Sequence, residues 1–146
     1  MAETIIVREC RHGQVRVQFG NIIRVDGDIM IIPANNRLAG REGLDERMQL
    51  AAGDELRARC TEIAVERRKE GKQPCGVGEA VTTPGYNLPA ENLVHVVGPD
   101  CRRPNQDNFR RELLVNSYNA MFDEISKIEP RETVVTPPLG MDVFAY

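Results

Sequence analysis

The chain has 146 residues, of which 41% are hydrophobic and 28% charged, with a formal net charge of −3. That length suits one domain with one sizeable core, and that balance argues against disorder. The acidic excess gives no support to a protein that grips a nucleic-acid backbone, which asks for clustered positive charge.

From the N-terminus, MAETIIVREC carries an early acid and only three successive apolar residues, so it does not read as a signal peptide. No apolar run approaches the ~20 residues needed to cross a bilayer, and no membrane role is expected. TIIVRE (4–9) and QVRVQF (14–19) are β-branched or alternating runs, and the CRHG turn between them predicts a hairpin. DIMII (28–32) is a continuous apolar run ended by Pro33, the pattern of a strand buried on both faces. Leu44, Met48 and Ala51, then Leu56, Cys60 and Ile63, recur at helical spacing around Gly53, which predicts two successive helices. The basic run Arg67–Arg68–Lys69 lies between Glu66 and Glu70 and reads as the solvated end of the second helix, where cations suit the macrodipole.

EAVTT (79–83) and LVHVV (93–97) are further strands, each stopped by Pro and Gly. His95 lies mid-strand and is expected to be a buried, hydrogen-bonded ring, while Tyr86 and Asn87 shape a turn. A long helix is predicted from Asn105 to Pro130, with Phe109, Leu113, Ala120, Phe122, Ile125 and Ile128 on or near one side. TVVT (133–136) is a last buried strand before PPLGMDVFAY closes the chain. Strands alternating with helices imply a layered α/β domain with a mainly parallel core. Cys10, Cys60, Cys75 and Cys101 form no CxxC pair and have no His at ligand spacing. They read as reduced thiols in a cytoplasmic or other reducing compartment, with no metal site expected.

In such sheets ligands bind beyond the carboxyl ends of strands. The loops at 33–43 and 137–146 both leave apolar strands and both carry Gly and Pro. In the first, PANNRLAGREGLD, Gly40 and Gly43 supply freedom for positive φ, while Arg41 and Glu42 are unexpectedly large. Backbone N–H groups in such loops, backed by a helix N-terminus, form an anion site.

The stretches GNIIRVDGDIMIIPANN (20–36), LDERMQLAAG (44–53), GEAVTTPGYNLPAENLVHVVGP (78–99) and TPPLGMDVFAY (136–146) resemble a macro domain, from residue 20 to the end. The resemblance implies a three-layer α/β/α fold with a mixed central sheet. It also implies binding of ADP-ribose or a related ADP-ribosyl metabolite or modification, such as an ADP-ribosylated protein, with no cofactor. An alternative is hydrolysis of mono-ADP-ribosyl groups or O-acetyl-ADP-ribose; another is a protein-interaction module that has lost nucleotide binding.

Carried over by resemblance, Asn21 stands where the family has an adenine-binding Asp, and the backbone of Ile22 faces the ring. Asn35 matches the distal-ribose Asn, and Asp45 the acid that orients a water in the hydrolytic branch. An earlier Asn of the better hydrolases falls on Ile32 and is lost. Ala34, Gly40, Gly43 and Leu44 belong to the first ligand loop, and Leu139, Gly140, Met141, Asp142, Val143 and Phe144 to the second. Phe144 matches an aromatic packed on the distal ribose. Asp142 replaces a glycine beside a phosphate, where a carboxylate at ~4 Å costs at most on the order of 4 kcal/mol. The resemblance further implies a single macro-type domain over 1–146 whose last helix and interior strand are missing. A C-terminal segment or a second chain is therefore expected to complete the sheet beside the hairpin at 4–19.

Overall fold

The computed structural model describes residues 3–102, 109–141, 143 and 144. The hairpin forms as expected from β1 (Glu3–Cys10) and β2 (Gly13–Phe19), paired antiparallel from Glu3↔Phe19 to Cys10↔Gly13. Every residue of both strands is exposed, and the pair makes a sheet of its own. A single 3-10 turn, Ile22–Arg24, follows.

The central sheet holds β3 (Ile29–Ala34), β4 (Ala80–Pro84), β5 (Asn92–Val97) and β6 (Val134–Val135) in the order β4-β5-β3-β6. Strand β3 runs parallel to β5 and β6, and β4 runs antiparallel to β5, so the sheet is mixed with a parallel centre. Met30, Ile32 and Ala34 face one layer, and Ile29 and Ile31 the other, all at most 1% exposed. A continuous apolar run is what a strand covered on both sides needs.

Helices α1 (Gly43–Ala52) and α2 (Asp54–Lys69) cover the first face with Met48, Leu56, Cys60 and Ile63. Gly53 separates them at φ 97°, in the left-handed region. Helix α3 (Arg110–Ser126) covers the second face with Leu114, Tyr118, Met121 and Ile125. The result is the expected α/β/α sandwich.

Three local expectations change. Strand β3 continues through Pro33 to Ala34, because β6 pairs only with Ile29 and Met30 and demands no ladder bond from Pro33. The last strand shrinks from 133–136 to two half-buried residues at the sheet's edge. Phe109 and Phe122, expected along the inner side of α3, are exposed; the buried stripe runs 114, 118, 121, 125 at helical spacing, and Phe122 falls beside it. The expected helix start at Asn105 lies outside the described residues.

Candidate functional site

Because β3, β5 and β6 are parallel, the loops that leave them gather at one end of the sheet. There a cavity of about 370 Å³ opens between 33–45 and 137–144. Its walls are Pro33, Ala34, Leu44, Pro137, Pro138, Met141, Val143 and Phe144, with Asn35, Asp45, Glu42 and Gly140 adding polar groups. An apolar slot of that size with a few convergent polar groups suits a small-molecule ligand.

The first loop holds itself. Asn35 Oδ1 accepts from the N–H groups of Arg37 (3.0 Å) and Ala39 (3.2 Å), an Asx arrangement that folds the chain back toward α1. The Asn35 oxygen is thereby engaged, so the group it can offer a ligand is its amide N–H2. Gly40 and Gly43 take φ 56° and 64°, using the freedom expected of them.

Asp45 sits in the first turn of α1, where the helix dipole favours a carboxylate. Burial overrides that preference: the side chain is only 5% exposed, and desolvation pushes its pKa up to about 6. Hydrogen bonds from Gln49 and from the Asn35 backbone N–H oppose the rise without cancelling it. Near neutral pH the group is mostly ionised yet ready to take a proton, the condition of a general base.

A third loop packs against the rim. Arg102, after β5, reaches Glu42 of the first loop (3.4 Å) and Asp100 (2.6 Å) and stacks over the Phe144 ring at 5.5 Å. The Cys101 N–H donates to the Phe144 carbonyl at 2.8 Å, docking the third loop on the second.

Of the expected site residues, the structure brings Ala34, Asn35, Leu44, Asp45, Gly140, Met141, Val143 and Phe144 together. Asn21 and Ile22 lie outside the cavity wall; Asn21 Oδ1 accepts from the Ile23 N–H at 3.2 Å and caps the 3-10 turn. Gly40 and Gly43 shape the loop rather than line it, and Leu139 is a buried prop whose N–H donates to the Tyr118 hydroxyl at 3.1 Å. Ile32 belongs to the core beneath, and Asp142 lies outside the described residues. His95 is fully buried, 2.9 Å from Thr83 Oγ1, and away from the cavity, as a structural ring would be. Sequence reasoning put the loop from 137 at the site without naming Pro137 and Pro138 as its wall, and it missed the reach of Arg102. The first carries a signal, since two prolines after a strand make a stiff extended rim; the second carries none.

Among the described residues no group of three His, Cys, Asp or Glu side chains is placed to hold a metal. No helix there is long and apolar enough to cross a membrane.

The family profile described as Macro domain matches residues 31–146. A macro domain-containing protein of Mesorhizobium japonicum is 32% identical over 133 residues, covering 91% of this chain and 69% of that protein. An O-acetyl-ADP-ribose deacetylase of Cronobacter turicensis is 32% identical over 134 residues, covering 92% of this chain and 72% of the relative. The Oceanobacillus iheyensis macrodomain with ADP superposes with a TM-score of 0.87 at 24% identity, covering 100% of this chain and 74% of that one.

Proposed function

This chain belongs to the macro domain family, and from that premise we propose that its strand-end cavity binds ADP-ribose or an ADP-ribosyl group. The observation that carries the reading is the cavity itself, lined by eight of the residues expected to touch such a ligand. Asn35, Asp45 and Phe144 mark the distal-ribose end, and the second loop, through Gly140, the diphosphate. Titration calorimetry with ADP-ribose tests it directly. A saturable heat, with clear density for the ligand in soaked crystals, is the expected result; no heat and an empty cleft at millimolar ligand overturn it and favour an interaction module instead.

Asp45 favours a second reading, hydrolysis of an ADP-ribosyl ester. Its carboxylate takes a proton from a water as the water oxygen bonds to the acyl carbon. The bond from that carbon to the ribose oxygen then breaks, and the ribose oxygen is protonated. A base with a pKa near 6 suits that step at neutral pH.

Two substitutions probe the ligand's surroundings. Arg102→Ala leaves the Glu42 carboxylate at the cavity mouth without its guanidinium partner. ADP-ribose, itself an anion, should then bind a few-fold more weakly at low salt and nearly normally at high salt, because exposed charges are screened. Calorimetry at two ionic strengths checks this, and a loss independent of salt refutes it. Asn21→Ala is expected to weaken ADP-ribose binding by about 1 kcal/mol, the worth of one neutral hydrogen bond to adenine. Unchanged affinity would reduce Asn21 to its capping role.

A further inference from the structure

Gln49, on α1 one turn after Asp45, is a polar side chain in a place built for an apolar one. It is 2% exposed and does not line the cavity. Its Nε2 donates over long distances to Asp45 Oδ1 (3.4 Å) and to the Leu38 carbonyl (3.5 Å). Its Oε1 is buried and accepts nothing among the described residues. Gly40 lies directly against this amide: a Cβ on Gly40 would come within 2.5 Å of Gln49 Cδ. The loop is therefore shaped around the amide, and a leucine or methionine would fill the same space without stranding an acceptor.

The two ends of an amide differ only by a half-turn of the terminal torsion. With Asp45 ionised, turning Oε1 toward it would set one oxygen acceptor against another, as it would at the Leu38 carbonyl. Nε2 must then face both, as it does.

We infer that Gln49 is a positioning residue for Asp45, its Nε2 donating to the carboxylate so that the ionised group is held with its aim into the cavity. The inference rests on the hydrolytic reading of this site. The other groups facing Asp45 bring one further donor. The Asn35 N–H from the loop only donates. The Cys60 thiol from α2 is pushed up to about 11, chiefly by burial, and stays neutral. Glu42, at the start of α1, lines the same cavity, and its carboxylate pairs outward with Arg102.

The test is the titration of Asp45 in the ligand-free protein, followed by its side-chain carboxyl carbon in NMR, in the wild type and in Gln49→Met. Removing the donor should raise the midpoint by roughly one pH unit, a tenfold change in proton affinity. The acid limb of the pH–rate profile should move with it, and kcat should fall about tenfold with KM little altered. A filler without this role would leave the midpoint in place, and an unchanged midpoint in a folded Gln49→Met protein overturns the inference. Should that variant not fold, Gln49→Glu decides: two carboxyl groups sharing a proton must raise the Asp45 midpoint if the side chains touch, and leave it unmoved if they do not. Because the midpoint is read without substrate, a protein that fails to bind ADP-ribose yet shows the shift loses only the proposed function. One that binds ADP-ribose without the shift loses only this inference.

Discussion

Asp45→Ala is expected to lower kcat/KM for an ADP-ribosyl ester by roughly 10²–10⁴-fold, the span that a well-placed general base supplies. The geometry behind the number is specific. Asp45 is the buried acid that reaches the cavity wall, its neighbours on that wall are mostly apolar, and Asn35 beside it offers only donors. Affinity for ADP-ribose should change far less than turnover, since a base acts on the reacting water and not on the bound nucleotide. The wild-type rate should rise with pH through about 6 and then level off, as the carboxyl ionises. A rate that Asp45→Ala leaves unchanged, in a protein that still binds, would remove Asp45 from any mechanism and leave a binding module.

The same carboxyl should shape the pH dependence of stability, opposed by His95 with a contribution of similar size. Asp45 has a folded pKa of about 6, above its ordinary 3.8, so the stability it contributes is present below about 4 and lost as pH rises through 6. His95, buried and neutral, has a folded pKa lowered by desolvation from 6.5 to about 4. The stability it contributes is present above about 6.5 and lost as pH falls toward 4. Each is worth about 3 kcal/mol, and the slopes run against each other over much of the same range. Their contributions in the wild type should therefore nearly cancel between about pH 4 and 6. Asp45→Asn should unmask His95: urea midpoints should rise at pH 7 and fall steeply toward pH 4.5. His95→Gln, which keeps a partner for Thr83, should show the reverse slope. An Asp45→Asn protein with the wild-type profile would show that the burial of Asp45 carries no such energy. A substitution expected to stabilise the fold while abolishing turnover is what a strained functional group produces.

The layers were legible because their signals are local. Ile29 to Ile32 are apolar without interruption and sit between two helical layers; Gly53 breaks one helical stripe into two. Asp45 and Asn35 were legible through the resemblance, and their convergence on one cavity is what the structure adds. What escaped the sequence is set by side chains that meet across loops. Arg102 reads as an ordinary surface cation until the third loop places it between Glu42 and Phe144. Gln49 reads as a polar helix residue, since nothing in helical spacing tells that Gly40 will fold down over it. The run through Pro33 was hidden because a proline's tolerance depends on which neighbour ends, and β6 ends early.

The hairpin of β1 and β2 has a consequence for how the molecule opens. Its residues are all exposed, and among the described residues no third strand pairs with it. A lone two-stranded ribbon is marginal in water, so its closing and reopening need not await the rest of the chain. Amide hydrogens of residues 3–19 should exchange through small local fluctuations, almost insensitive to urea, because little fresh surface appears when the ribbon parts. Those of Ile29–Ala34 and Asn92–Val97 should exchange only when the whole body unfolds. Tyr86 and Tyr118 pack against the two faces of that body. Tyrosine fluorescence from these two positions will follow its melting, whatever the ribbon is doing.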